Sequence, residues 1–167
     1  MNASLHDLAR SGRLRRVDAE LGRWLQRLFP DAAPEAALAA ALAARAVADG
    51  HSALQLDAAQ RWFANLEGRG EAPALPDPVA WQAALRASAA VECTPIADAR
   101  DAPQRGPLVL DAQGRVYLRR YFECERRLAR ELIARARGDR LKLVTGGPGT
   151  GKTHGVVRTL VALAETA

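Results

Sequence analysis

The sequence predicts a mixed fold, α+β passing into α/β. Three observations carry this. The first hundred residues show helical apolar periodicity broken by prolines. Residues 108–118 show two short apolar runs about a turn. Residues 146–153 hold a glycine-rich run ending in Lys-Thr. Together they predict a small helical N-terminal domain over 1–96, a linker over 97–106, and over 107–167 a hairpin and helix leading into a strand–loop–helix unit.

The helical part begins with Leu14, Val17, Leu21, Trp24, Leu25 and Leu28, which share one stripe of an amphipathic helix. Pro30 ends it, and Pro34 starts an alanine-rich helix running to about Ala48 and stopped by Asp49-Gly50. His51 to Leu56 reads as a short extended piece. Asp57 is expected to cap a helix bearing Trp62, Phe63 and Leu66 and ended by Gly68. Asp77-Pro78 pairs a cap with an N1 proline ahead of Trp81 and Leu85. No catalytic constellation occurs in this part, and its tryptophans read as core, at least two of the three.

Leu108-Val109-Leu110 and Val116-Tyr117-Leu118 flank Asp111-Ala112-Gln113-Gly114, the pattern of a hairpin. A helix follows from about Arg120 to Arg137, with Tyr121, Cys124, Leu128, Leu132 and Ala136 as its apolar stripe. Glu123, Arg127, Glu131 and Arg135 stand four apart and predict a ladder of ion pairs. On this pattern Arg119, Arg120, Arg126, Arg130 and Arg137 lack such partners. Leu141 to Thr145 reads as a buried strand, and Thr153 onward as an apolar helix.

Composition sets limits on function. The chain has 167 residues, 49% hydrophobic and 26% charged, which excludes wholesale disorder. No apolar run reaches the 18 residues a membrane span needs. The N-terminus has no apolar stretch ahead of its arginines, so no secretory signal is expected and the reading is cytoplasmic. Cys93 and Cys124 have no CxxC spacing, and the three histidines are scattered, against metal clusters and disulfide frameworks. Residues 1–104 hold 11 basic and 13 acidic residues, whereas 105–140 hold 10 basic and 5 acidic ones. The excess positive charge therefore belongs to the second part. Its arginine-rich helix reads first as a solvated face and second as a contact for DNA or an acidic partner.

Gly146-Gly147-Pro148-Gly149-Thr150-Gly151-Lys152-Thr153 fits G-x-x-x-x-G-K-[ST], the phosphate-binding loop. Glycines let successive backbone N–H groups turn toward phosphate oxygens. The following helix start adds unsatisfied amides and the positive end of its dipole. Lys152 is expected to reach the β- and γ-phosphates and Thr153 to ligate Mg²⁺, so ATP and Mg²⁺ are the expected cofactors. Lys152 is the expected catalytic residue and Thr153 the metal contact. This makes the second part the opening of an incomplete P-loop NTPase domain of the RecA-like kind. No Asp or Glu follows Thr153 except Glu165. The acidic motif and water-orienting group of an ATPase are therefore expected beyond Ala167, and the 167-residue chain alone is expected to be inactive.

Four stretches together resemble the RecD family, the alpha subunits of exodeoxyribonuclease V (RecBCD), which are superfamily 1 DNA helicases. Asp49-Gly50-His51-Ser52-Ala53-Leu54-Gln55-Leu56 is similar to that family's GHxCL-type segment. Pro107-Leu108-Val109-Leu110 with Arg115-Val116-Tyr117-Leu118-Arg119-Arg120-Tyr121-Phe122 looks like its hairpin entering an aromatic helix. Glu125-Arg126-Arg127-Leu128-Ala129 continues that helix, and Val144 to Thr153 matches its Walker A. The resemblance implies an ATP-dependent 5′-to-3′ DNA helicase within a nuclease complex that processes DNA ends for recombinational repair. It implies RecC-type and RecB-type subunits as partners, DNA contact through the complete motor, and a helical domain that docks on the RecC-type subunit. The sequence departs from the family at Ala53, where cysteine is common, and at His154, where a second threonine is usual. No glutamine follows Gln113, although the family uses one to contact the nucleotide base. Two alternatives stand beside this reading: a truncated, non-catalytic partner-binding module, and an unrelated P-loop ATPase of the AAA+ kind.

Overall fold

The computed structural model describes residues 4–93, 106–137, 154, 156–159 and 161. The chain divides into two compact units, Met1–Arg126 and Arg127–Ala167. The first is α+β.

Helix α1 (Leu5–Arg10) opens it, started by a capping box in which the Ser4 hydroxyl accepts from Asp7 N–H and Asp7 accepts from Ser4 N–H. Helix α2 (Arg16–Leu28) follows, with Asp18 accepting from the Arg15 backbone N–H at 3.0 Å and from its guanidinium at 2.6 Å. Helix α3 (Pro34–Ala48) starts at its proline, as expected. Its buried residues surround the helix on all sides, Ala36 to Ala43 without a gap. A helix apolar all round is a central one, and α3 is the axis of the unit. Its end is a Schellman motif: His51 N–H bonds Ala46 C=O, Gly50 N–H bonds Val47 C=O, and Gly50 has a φ of +89°.

Strand β1 (Leu54–Gln55), helix α4 (Ala59–Ala64), helix α5 (Pro78–Arg86) and strand β2 (Val91–Cys93) come next. Asp77 caps α5 as expected, accepting from Val79 and Ala80 N–H at 3.1 and 3.0 Å. Asp57 does not cap α4. The residue before that helix is Ala58, without a side-chain cap, because a hydrogen-bonded turn from Gln55 to Ala58 leads into it. Nor does the helix reach Gly68; it ends at Ala64.

The hairpin forms as the sequence predicts: β3 (Leu108–Leu110) and β4 (Arg115–Leu118) pair antiparallel. Its place is different from the one expected. β4 also pairs antiparallel with β1, Leu54 opposite Val116, and β3 pairs parallel with β2, Val91 opposite Leu108. The four strands form one sheet in the order β1-β4-β3-β2. The hairpin predicted to begin the second domain is thus hydrogen-bonded into the first unit. Helix α1 and strand β2 are not among the elements the sequence predicts, and β2 is too short and too mixed in polarity to show a period.

Both faces of the sheet are covered. Leu108, Leu110 and Val116 join the main core with Leu42, Leu54, Phe63, Trp81 and Leu85. Val109 and Tyr117 face the other way and pack with Phe122. This explains why all three residues of β3 are buried rather than alternating.

The expected stripe of α2 is corrected in its orientation. Leu14 precedes the helix and Leu25 is buried, but Val17, Trp24 and Leu28 are exposed. The helix presents Asp18, Ala19, Gly22 and Leu25 to the interior. Gly22 explains the choice. A Cβ there would lie 2.7 Å from the Ala37 carbonyl oxygen and 2.9 Å from Leu5, so only glycine lets α2 approach α3 this closely. Of the tryptophans, Trp81 is wholly buried, with Nε1–H donating to Glu35 C=O at 3.0 Å, and Trp62 is half-buried against the core. Trp24 is neither.

In the second unit the described residues are the last turns of helix α6 (Arg119–Arg137) and residues 154, 156–159 and 161, which are helical. The expected strand Leu141–Thr145 lies outside the described residues. Among those that are described, no helix is long and apolar enough to cross a membrane.

Candidate functional site

All eight expected site residues, Gly146, Gly147, Pro148, Gly149, Thr150, Gly151, Lys152 and Thr153, lie outside the described residues. The structure describes the segment that leads toward them. This is the hairpin and the start of α6, which carry the most distinctive sequence of the chain.

Asp111 builds the turn. It is buried and accepts three bonds: from Gln113 N–H and Arg115 N–H at 2.9 Å each, and from Arg115 Nε–H at 2.6 Å. Its carboxylate thus closes the turn and holds the first residue of β4. Arg115 then lies over the Tyr117 ring, 5.7 Å from its centroid. Tyr117 meets Phe122 edge-on at 5.3 Å, and Arg126 lies over the Phe122 ring at 5.6 Å. Burial pushes the Tyr117 phenol above the ordinary tyrosine range, against the opposing pull of the Arg115 charge.

Arg119 fixes the start of α6. Its Nε–H donates to Gly106 C=O at 2.8 Å and its Nη2 to Glu92 at 2.6 Å. It therefore has partners that the four-residue spacing did not predict, and so does Arg126. Glu123, expected to pair with Arg127, instead has Arg119 at 3.8 Å and Arg126 at 3.6 Å. The arginine–aromatic chain from Arg115 to Arg126 packs the first turns of α6 against β4.

In the resembling stretch Asp49 to Leu56, the residues His51, Ala53, Leu54 and Gln55 line a cleft of about 120 Å³. His51 meets Trp62 edge-on at 6.3 Å, and the walls are Ala46, Ala53, Leu54 and Ala59. His51 follows the Schellman stop and has no carboxylate beside it among the described residues. The signal in this stretch is helix termination and strand entry, not acid–base chemistry.

The family model described as RecBCD enzyme subunit RecD, N-terminal domain, matches residues 10–117. The chain belongs to the RecD N-terminal domain family. The match runs from the last residue of α1 to Tyr117 in β4 and so spans α2 to α5, strands β1 to β3 and β4 up to its last residue but one. A RecD N-terminal domain that includes the hairpin agrees with a sheet in which β4 is held by β1 on one side and β3 on the other. No curated protein matches the chain. The family places the chain with a subunit of the RecBCD enzyme, which acts in DNA repair and recombination.

Proposed function

We propose that this chain supplies the N-terminal, partner-docking part of a RecD-type helicase subunit, and that residues 146–153 bind ATP and Mg²⁺ at the entrance to its motor. One observation carries the reading: the RecD N-terminal domain match over residues 10–117. Two others support it. The phosphate-loop pattern stands 29 residues after that match ends, with α6 between. The Tyr117–Phe122 contact continues the packing of the RecD domain into the first turn of α6. The subunit would act as an ATP-driven 5′-to-3′ DNA translocase beside RecC-type and RecB-type subunits, in the cytoplasm.

The chain's own residues would divide the work. Backbone N–H groups of residues 146, 147 and 149–151 would hold phosphate oxygens, Lys152 would neutralise charge on the β- and γ-phosphates, and Thr153 would contact Mg²⁺. The test is Lys152→Ala in the subunit assembled with its RecB- and RecC-type partners. ATP hydrolysis attributable to this subunit should fall by about 10²–10³-fold, the cost of one preorganised donor. Assembly should survive. Hydrolysis at the wild-type rate would refute the phosphate site, and loss of assembly would refute the division of roles.

A further inference from the structure

Helix α2 has two apolar rows. One is the core row described above. The other is Val17, Leu21, Trp24 and Leu28, spaced i, i+4, i+7 and i+11. Leu21 is partly buried at its base, while Val17, Trp24 and Leu28 are 63%, 44% and 53% exposed. Apolar side chains of this size gain free energy when a partner removes them from water. Contiguous exposed apolar surface of this kind marks interaction sites.

The far border of this row is charged. Helical spacing puts Arg16, Glu20, Arg23 and Arg27 at the same i, i+4, i+7 and i+11 positions, one residue behind. Arg23 pairs with Glu20. Arg16 and Arg27 have no ion-pair partner among the described residues. The border therefore carries a net positive edge along an apolar ridge, on a domain whose first 104 residues are otherwise slightly acidic.

We propose that this ridge is the face by which the RecD N-terminal domain docks a partner subunit, and that the partner presents an apolar strip edged by Asp and Glu. The proposal rests on the partner-docking reading above and names its surface. The charge pattern selects the occupant. A nucleic acid would meet apolar side chains where it needs phosphate contacts. A second copy pairing antiparallel through α2 would set the arginine row against itself. An acidic-edged protein strip buries Val17, Trp24 and Leu28 and neutralises Arg16 and Arg27 in one step.

The experiment uses the full chain with the purified RecB- and RecC-type subunits from the same source. Four forms are compared: wild type, Trp24→Phe, Trp24→Asp, and the double variant Arg16→Glu with Arg27→Glu. All three altered positions are at the surface, so melting temperature and circular dichroism should not change. Trp24→Asp should weaken association about 10- to 30-fold, as loss of a tryptophan anchor does, and Trp24→Phe should restore most of it. The charge reversal should weaken association chiefly at low salt. Trp24 fluorescence should become protected from acrylamide on assembly. Wild-type association unaffected by Trp24→Asp and by the charge reversal would overturn the assigned face and leave the docking reading standing. No association of the wild type would overturn both. Self-association of the chain in sedimentation that Trp24→Asp abolishes, or Trp24-dependent binding to phosphatidylglycerol vesicles, would assign the ridge to another occupant and overturn the proposal.

Discussion

Asp111 shows how much chemistry a turn residue can hold without declaring it. Asp-x-x-Gly between apolar runs signals a hairpin turn, and that was legible. The carboxylate's three simultaneous bonds were not, because a capped turn and a solvated one share the same sequence. Tyr117 is similar. Its alternation with Val116 and Leu118 is visible in the sequence, but its burial depends on Phe122, four residues past the strand pattern, folding back on it. That burial has a pH consequence. The folded state raises the phenol's pKa above its unfolded value. A group raised on folding contributes stability that is fully present below the unfolded pKa, about 10 for tyrosine, and lost as pH rises through the folded value. Tyr117→Phe keeps the ring and removes the titration. Denaturant unfolding from pH 8 to 11 should therefore show wild-type stability falling more steeply than the variant's above about pH 10. Parallel curves would place the phenol in water.

At the scale of elements, most helix starts and stops follow from local chemistry, with Asp57 and Gly68 the exceptions, while the buried face of α2 does not. Pro34, Asp77-Pro78 and Asp49-Gly50 act through local backbone chemistry, and each does what its residues predict. The orientation of α2 does not follow from its own apolar residues. Six large side chains define one stripe, but Gly22 and Ala19 face the core, because contact with α3 is decided by how near the backbones come. The sequence contains the signal, a glycine one turn before Leu25, but hydrophobic periodicity gives glycine no weight. Gly22→Ala weighs the two effects against each other. Helix propensity favours alanine by up to about 1 kcal/mol. The new Cβ would sit 2.7 Å from a backbone oxygen that has no rotamer to change, and overpacking costs about 1–3 kcal/mol. Packing should win, with a net loss of stability in urea unfolding at unchanged m-value. A gain in stability would mean that α2 and α3 are less tightly held than their geometry implies.

For the whole molecule, the part that was least legible is which elements belong together. The stretch over 97–106 reads as a linker by composition, and so the hairpin beyond it reads as the start of something new. Strand pairing overrides composition here. β2 is three residues long, carries no period of its own, and is defined only by its parallel neighbour β3. A long-range pairing of that kind leaves no local mark. The consequence is testable with two shortened chains, one ending at residue 96 and one at residue 126. The shorter lacks Leu108, Val109, Leu110, Val116, Tyr117 and Phe122, all of them buried. At about 1.5–3 kcal/mol for each buried side chain, their loss amounts to roughly 9–18 kcal/mol. The whole net stability of a domain is about 5–15 kcal/mol. Residues 1–96 should therefore fail to show a cooperative unfolding transition, and Trp81 should lose the near-ultraviolet signal of a fixed environment. Residues 1–126 retain the sheet, the Tyr117–Phe122 contact and the Arg119 ties to Glu92 and Gly106, and should unfold cooperatively. If the shorter chain folds as well as the longer one, the sheet is an appendage and the helices form the domain alone. If only the longer folds, the hairpin is an integral part of the RecD N-terminal domain, and partner docking should be measured with chains that keep it.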